Sequence, residues 1–95
     1  MAMPTKIRLT TNFSFRTSGS GELILPVHIT TIGDLLLEIG RQIDFVFVDV
    51  ERTRLRNDIE VVINGKDVLL YPSGLGTTLT DGDSIAITLM PLGGG

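Results

Sequence analysis

The sequence predicts an α+β fold in which one helix packs against one face of a β-sheet, and three observations support this prediction. Apolar and polar residues alternate over residues 6–15, which is typical of a strand with one buried face. A stripe of apolar residues runs from Ile32 to Ile43 at helical spacing. The other strand-like segments are grouped as hairpins before and after this helix, which favours an α+β fold over an alternating α/β fold.

The first two strands are predicted to pair as a hairpin. In the first strand, residues 6–15, every second side chain faces one side of the sheet. These side chains are Ile7, Leu9, Thr11, Phe13 and Phe15. A turn rich in serine and glycine, residues 17–21, leads to a second strand at residues 22–27. Pro26 lies in this second strand and has no backbone N–H to donate, so we expect the strand at an edge of the sheet.

The helix has a predicted start as well as a predicted buried face. Thr31 is suited to accept hydrogen bonds from the free N–H groups of the first turn, and Asp34 follows three residues later, as in a capping box. The negative charge of Asp34 also favours the positive end of the helix dipole. The apolar stripe consists of Ile32, Leu35, Leu36, Ile39 and Ile43. We expect these side chains to pack against the sheet.

Residues 44–57 give no single prediction. The apolar run at residues 45–48 fits a short strand as well as a buried helical turn, because periodicity does not discriminate over so few residues. Residues 52–57 are expected to form a solvated loop, since charged and polar residues dominate them. The connection between the helix and the next strand is therefore left open.

The second half of the chain predicts a further hairpin and a last strand. Residues 59–63 alternate as in a strand, and Asn64 and Gly65 form a strong hairpin signal because both tolerate a positive φ. Residues 68–70 are expected to return the chain. After a long turn, the last strand is predicted at residues 84–90. Its apolar face consists of Ile85, Ile87 and Leu89.

Length and composition narrow the class of protein. A chain of 95 residues fits one domain, which we place at residues 1–90. Eight Lys and Arg against eleven Asp and Glu give a net charge of −3, which argues against a nucleic-acid partner. The absence of cysteine excludes disulfides, thiol catalysis and cysteine-based metal sites. No apolar run is long enough to cross a membrane and the first residues lack a secretory core, so we expect a cytoplasmic protein. We also expect the free protein to be a monomer.

The chain offers little for catalysis. His28 is the one histidine of the sequence, so a two-histidine metal site is excluded, and we expect His28 to be a surface or capping residue. The sequence contains no phosphate-binding loop and no dinucleotide-binding fingerprint. The Asp81-Gly82-Asp83 run lacks the further oxygen ligands of a calcium loop and is interpreted as a β-turn. We expect no catalytic residue, no metal site and no cofactor bound by this chain.

The most unusual feature is the end of the sequence. Met90 is followed by the C-terminal tail (residues 91–95), which consists of Pro91, Leu92, Gly93, Gly94 and Gly95. We expect a flexible, extended tail that reaches at most roughly 16–18 Å from the sheet. Its glycines allow the backbone to enter a channel too narrow for a Cβ, and they leave the terminal carboxylate unhindered. The alternative is an incidental flexible end or an expression remnant.

The last part of the chain carries several motifs in a fixed order. They are Arg54-Leu55-Arg56, Ile59-x-Val61-x-Ile63-Asn64-Gly65-x-x-Val68, Leu79-Thr80-Asp81-Gly82-Asp83-Ser84-Ile85-x-Ile87, and Pro91 with the closing glycines. Together they resemble the MoaD/ThiS group of ubiquitin-like sulfur carriers and the related ubiquitin-related modifiers. The Leu-x-Asp-Gly-Asp-x-Ile element combined with a Gly-Gly terminus is fairly specific, whereas either half alone is weak. The first half of the chain fits the group more loosely.

The resemblance implies a β-grasp (ubiquitin-like) fold, in which a mixed sheet packs on one main helix. The first and last strands would lie side by side in the middle of the sheet, and the second strand would lie at an edge. Two features depart from the group. The tail is one residue shorter than is common, with Gly93 where a small non-glycine residue often stands, and residues 45–50 do not match the usual second helix.

The resemblance also implies a function centred on Gly95. An ATP-dependent activating enzyme of the ubiquitin-activating type would adenylate its carboxyl group, using ATP and Mg²⁺, and the adenylate would be converted to a thiocarboxylate. The thiocarboxylate would supply sulfur for molybdopterin, thiamine or tRNA thiolation through a sulfur-acceptor synthase. Gly93 and Gly94 would give access to the terminus, while Pro91, Leu92 and Met90 would contact the partner. The chain would be a carrier acted on by an enzyme, or the small subunit of a synthase complex.

Two alternatives stay open at this point. The chain resembles modifiers as well as carriers, so Gly95 is a candidate for conjugation to lysines of target proteins. Lys6 and Lys66 are the only lysines of the sequence, which would leave few acceptor sites for self-linked chains. The second alternative is a non-catalytic β-grasp binding module whose glycines are incidental.

Overall fold

The computed structural model describes residues 5–13, 21–51 and 54–90. These residues form a five-stranded sheet and one α-helix in the order β1 (Thr5–Thr11), β2 (Glu22–Leu25), α1 (Ile32–Ile43), β3 (Ile59–Ile63), β4 (Lys66–Asp67) and β5 (Ser84–Leu89). The strand order across the sheet is β2-β1-β5-β3-β4. β1 and β5 are parallel, and the other neighbours are antiparallel. The predicted α+β class, the central pairing of first and last strands and the edge position of β2 are all confirmed.

Strand β1 is shorter than predicted. It ends at Thr11, where the side-chain hydroxyl donates a hydrogen bond to the carbonyl oxygen of Phe13 at 2.7 Å and so bends the chain. Ile7 and Leu9 are buried as expected, and Phe13 packs at the margin of the core. The predicted inward position of Phe15 lies outside the described residues.

Strand β2 ends at Leu25, two residues before its predicted end. Pro26 and Val27 are exposed beyond it, and the Pro26 carbonyl oxygen accepts a hydrogen bond from the Ile29 N–H at 3.0 Å. The edge position was correctly predicted, but the reasoning through Pro26 was wrong. Pro26 belongs to the turn that follows the strand, where its missing N–H interrupts no ladder.

Helix α1 begins as the sequence predicts. Thr31 is the N-cap and accepts a hydrogen bond from the Asp34 N–H at 3.1 Å, while Asp34 accepts from the Thr31 N–H at 3.2 Å. Four members of the predicted stripe are buried, and Ile43 is half-buried. The chain that follows the helix packs closely against its last turn. A Cβ on Gly40 would collide there with the carbonyl oxygen of Phe45. Among the described residues, no helix has the length and apolar character required to span a membrane.

The connection after α1 is neither a strand nor a helical turn over residues 45–48. Phe47 and Val48 are nonetheless buried, and Val48 forms an isolated β-bridge with Leu55. The Phe47 carbonyl oxygen also accepts a hydrogen bond from the Arg56 N–H at 2.9 Å. The expected solvated loop is therefore corrected at Leu55, which is half-buried against the core, because this bridge draws it inward.

The second hairpin is confirmed at its turn but not along its full length. Asn64 and Gly65 both have positive φ, 52° and 83°. The expected return at residues 68–70 is a 3₁₀-helix, since the Asp67 side chain accepts a hydrogen bond from the Leu69 N–H at 2.8 Å and caps a turn there. β5 ends at Leu89 instead of residue 90.

The core lies between α1 and the inner face of the sheet. All buried side chains of the described residues that form it are apolar. Ile85 and Ile87 of β5 are 1% and 0% exposed, so the central strand is covered along its inner face. Burial of this kind contributes roughly 1.5–3 kcal/mol per large aliphatic side chain, which makes β5 a rigid support for the residues that follow it.

Candidate functional site

The predicted site lies mainly beyond the last described residue. Gly95, Gly94, Gly93, Leu92 and Pro91 fall outside the described residues, as does the predicted boundary between domain and tail. Met90 is described: it directly follows β5, and 39% of its surface is exposed. The part of the site that the structure describes is therefore the exit point, which consists of Leu89 and Met90, where the chain leaves the sheet toward the tail.

The exit point is held from both neighbouring strands. On the β3 side, Leu89 is in register with Ile59, and the Met90 N–H donates a hydrogen bond to the carbonyl oxygen of Asp58 at 2.7 Å. On the β1 side, the amide nitrogen Nδ2 of Asn12 donates to the Leu89 carbonyl oxygen, and Asn12 Oδ1 accepts from the Leu89 N–H. Both of these bonds measure 2.9 Å. The end of β5 is thus fixed in direction by hydrogen bonds on both sides.

Three aromatic side chains form a cluster that Arg56 links to Asp58. The ring of Phe47 lies 5.5 Å from that of Phe13 and 4.8 Å from that of Phe45, measured between centroids. The Arg56 guanidinium lies 4.8 Å above the Phe45 ring, and its Nε donates to Asp58 Oδ1 at 2.7 Å. Arg56 belongs to the Arg54-Leu55-Arg56 motif. It therefore positions Asp58, whose carbonyl oxygen accepts the hydrogen bond from Met90.

The Asp81-Gly82-Asp83 element lies at the opposite end of β5 and holds the fold together. The Asp83 carboxylate accepts hydrogen bonds from the Thr80 N–H at 2.8 Å, the Thr80 hydroxyl at 3.0 Å and the Asn64 amide at 2.9 Å. Asp81 accepts from the Lys6 N–H at 2.8 Å. This element links β1 and the β3–β4 turn to the start of β5. The predicted turn is confirmed, and its role is structural.

The hydrogen bonds at Asp83 also change its acidity. Partial burial raises the pKa of the Asp83 carboxyl, but the hydrogen bonds from Thr80 and Asn64 outweigh burial and leave the pKa below its usual value of 3.8. At neutral pH the carboxylate is charged and acts as a fixed acceptor. The same balance lowers the pKa of Asp34 in the first turn of α1, where partial burial is outweighed by hydrogen bonds from Thr30 and Thr31.

The face of the sheet opposite the helix is the outer face, and its central residues are small or aliphatic. Thr10, Ala86 and Val62 lie side by side across β1, β5 and β3, with Ala86 and Val62 half-buried. Charged side chains flank this small-residue centre, with Arg8 exposed on β1 and Glu60 exposed on β3.

Two predictions concern other chemistry. His28 is exposed, as predicted. No group of three or more metal-ligating side chains occurs in residues 5–13, 21–51 and 54–90. The expectation that this chain holds no cofactor remains a prediction.

Two residues that hold the exit point, Asn12 and Asp58, were not predicted from the sequence. The one available signal was an asparagine near the end of an alternating strand, because asparagine readily bonds backbone groups.

The fold and the position of the exit point define a class of protein. The described residues form a mixed sheet packed on one helix, with the first and last strands parallel at the centre, which is the β-grasp (ubiquitin-like) fold. No family model matches the chain, and no curated protein matches it in sequence.

Similar solved structures give a more particular indication. The chain is similar to small archaeal modifier protein 1 from Methanosarcina acetivorans, with 25% identity, a TM-score of 0.62, and coverage of 99% of this chain and 100% of that one. It shares the fold of the Haloferax volcanii HVO 2177 protein, with 22% identity, a TM-score of 0.67, and coverage of 96% and 88%. It shares the fold of Urm1 from Trypanosoma brucei, with 21% identity, a TM-score of 0.60, and coverage of 99% and 100%. The fold of these neighbours agrees with the β-grasp fold that the sequence resemblance implies, and the protein from Methanosarcina acetivorans is a modifier by name.

Proposed function

We propose that this protein is a sulfur carrier whose Gly95 carboxyl group is adenylated by an ATP-dependent activating enzyme and converted to a thiocarboxylate. The observation that carries the proposal is the exit point: a ubiquitin-like domain ends its central strand at Leu89 and holds Met90 firmly. The sequence then continues with a tail that ends in three glycines. A rigid domain followed by a side-chain-free end suits a protein that is gripped by one surface and reacts at another.

The chemistry requires a partner. A terminal carboxyl has a pKa of about 3.5 and is ionised at neutral pH, so it is a poor electrophile. In the first step, a Gly95 carboxylate oxygen attacks the α-phosphorus of ATP, and pyrophosphate leaves with Mg²⁺ assistance supplied by the partner. The terminal sulfur of a persulfide then displaces AMP from the acyl carbon. A second thiol of the sulfur-donating system cleaves the resulting acyl disulfide, which leaves the thiocarboxylate on Gly95 and a disulfide on that system.

The domain supplies binding that the tail lacks. Ordering a glycine-rich segment in an enzyme channel costs roughly 1–2 kcal/mol per residue of backbone entropy, and glycine side chains offer no compensating contact. Docking therefore depends on the domain surface, which offers the outer sheet face and the exposed side chain of Met90. Leu92 adds an apolar contact within the tail. The same surfaces would meet the sulfur-acceptor synthase in the next step, and the free carrier is a cytoplasmic monomer.

Mass spectrometry of the protein purified from its own cells tests the proposal. A sulfur carrier shows a fraction of molecules in which one oxygen at Gly95 is replaced by sulfur, and this fraction disappears when the activating enzyme is deleted. A terminus that carries only oxygen in cells that actively make sulfur-containing cofactors contradicts the proposal. The same spectra establish whether the native chain ends at Gly95.

The second candidate is a protein modifier, because one similar structure is that of a small archaeal modifier protein. In this case the activated Gly95 carbonyl is attacked by a lysine amine of a target, AMP leaves, and an isopeptide bond forms. Tryptic digests of cell lysate would then contain target lysines that carry a C-terminal remnant of this chain. Such remnants together with an unsulfurated free terminus would favour the modifier over the carrier.

A further inference from the structure

The side chain of Asn12 takes the place of a missing strand beside Leu89. The two residues are 77 positions apart in the sequence, yet the Asn12 amide forms two hydrogen bonds to the Leu89 backbone, each 2.9 Å long. A primary amide carries one carbonyl acceptor and N–H donors, which are the groups that a neighbouring peptide unit would present. One side chain therefore satisfies both backbone groups of Leu89 on this side of β5.

The reason for this substitution lies at the end of β1. Regular pairing of β1 with β5 stops at Thr11 opposite Ile87, because the backbone turns away where the Thr11 hydroxyl bonds the Phe13 carbonyl oxygen. Without the Asn12 side chain, the N–H and the carbonyl oxygen of Leu89 would lose both of these hydrogen bonds. Among the bonds described for the exit point, the one from the Met90 N–H to Asp58 on the β3 side would remain. A chain end held from one side frays more readily than one held from both.

The position of Leu89 gives this contact a consequence for the tail. Met90 is held by Asp58 at 2.7 Å, and the next residue, Pro91, has no N–H with which to continue a ladder. The exit point is thus set by Asn12 on one side and Asp58 on the other. If Leu89 and Met90 detach, the segment that an enzyme must order grows from five residues to seven, and its starting direction is lost.

We propose that Asn12 is a positioning residue that fixes where and in what direction the chain leaves the sheet toward Gly95. This inference rests on the proposed function of Gly95 as the reacting residue. Asn12 acts through the Leu89 backbone, to which its side chain is hydrogen-bonded. Its contribution is made before docking, because a domain whose exit point is already formed needs no further ordering when the tail is captured.

The test compares Asn12→Ala with two controls in the full-length protein. Gln42→Ala removes an exposed carboxamide on α1 that, like Asn12, makes a surface hydrogen bond. Asp83→Asn weakens the fold at the opposite end of β5 and controls for loss of stability alone. Backbone amide exchange is measured at Leu89 and Met90, with Val61 as a core reference. ATP–pyrophosphate exchange is measured with the ubiquitin-activating-type enzyme of the same organism.

We expect Asn12→Ala to speed exchange at Leu89 about 3- to 10-fold, which corresponds to the loss of an exposed hydrogen bond, while Val61 is unchanged. We expect its KM for the activating enzyme to rise about 1.5- to 3-fold with kcat unchanged, because KM follows the fraction of molecules in which the exit point is formed and that fraction falls less than the exchange rate rises. Gln42→Ala and Asp83→Asn should leave KM unchanged.

Three results would overturn the inference. Unchanged exchange at Leu89 in Asn12→Ala would show that the contact does not hold the strand end. Faster exchange with an unchanged KM would show that the contact is architectural only, as would an equal rise of KM in Asp83→Asn. Failure of the wild-type chain to support pyrophosphate exchange would instead refute the proposed function, and it is recognised separately because the Leu89 exchange measurement needs no partner.

Discussion

The side-chain amide of Asn64 donates to the carboxylate of Asp83 at 2.9 Å, and Asn64 Oδ1 accepts from the Ser84 N–H at the same distance. These contacts join the turn of the β3–β4 hairpin to the turn that begins β5. Asn64 therefore has two roles, since it also adopts the positive φ that the hairpin requires. The Asp-Gly-Asp element that suggests a family in the sequence is explained here by its hydrogen bonds.

The first prediction concerns Asp83→Asn. The amide that replaces the carboxylate keeps one oxygen but turns an NH₂ group toward donors of Thr80 or Asn64, so at least one hydrogen bond is lost. We expect the free energy of unfolding to fall by about 1–2 kcal/mol, as for loss of a charge-assisted hydrogen bond. Denaturant unfolding measures the change. Glu51→Gln removes an exposed carboxylate as a control and should change stability by less than about 0.5 kcal/mol; an equal effect of both variants would contradict this account.

The second prediction concerns pH. The folded-state pKa values of Asp83 and Asp34 lie below the usual 3.8, so both carboxylates contribute stability that is present above that value. The contribution is lost as the pH falls through the lowered folded-state pKa values, because the unfolded chain then binds more protons than the folded one. We expect the unfolding free energy to decline with acid over this range and to decline less steeply in Asp83→Asn. Denaturant unfolding at a series of pH values measures both slopes; equal slopes would exclude Asp83 as a source of the acid sensitivity.

The sequence predicted those parts of the fold that depend on neighbouring residues. The capping box of Thr31 and Asp34 spans three positions, and the turn at Asn64 and Gly65 requires only that both residues tolerate positive φ. Such features are fixed locally, so their residues identify them. The central position of the first and last strands, side by side, was predicted through the family resemblance, because this pairing joins residues at the two ends of the chain.

The features that were not predicted depend on contacts between distant residues. Phe47 is 1% exposed because Phe13 and Phe45 pack against its ring, which no periodicity over residues 45–48 reveals. The end of β1 at Thr11 depends on a side-chain bond, and the role of Asn12 depends on Leu89 near the other end of the chain. The tail glycines were recognisable as a candidate site from composition alone. The residues that hold the exit point were not, since they act through backbone atoms.

The third prediction concerns Gly40, at the end of α1. A Cβ at this position would collide with the Phe45 carbonyl oxygen and would approach the Phe47 ring at 3.3 Å. Gly40→Ala gains helix propensity but forces the chain after α1 to shift, so we expect a net loss of about 1–3 kcal/mol, as in overpacked cores. Gly76→Ala is the matched control because its nearest neighbour, the Ser73 Cβ, lies 3.9 Å away. Thermal unfolding compares the two; a stabilised Gly40→Ala would mean that the helix end is less tightly packed than described.

The fourth prediction separates folding from reactivity. Deletion of Gly94 and Gly95 removes no buried side chain of the described core, so thermal unfolding should match that of the full-length chain. Adenylation should be abolished, because the remaining carboxyl group at Gly93 lies too far from the ATP bound to the activating enzyme. An extension beyond Gly95 should have the same effect, because it replaces the free carboxylate with an amide. ATP–pyrophosphate exchange measures both variants, with Gln42→Ala as a control that should retain activity. Undiminished exchange by the truncated chain would mean that Gly95 is not the residue that reacts.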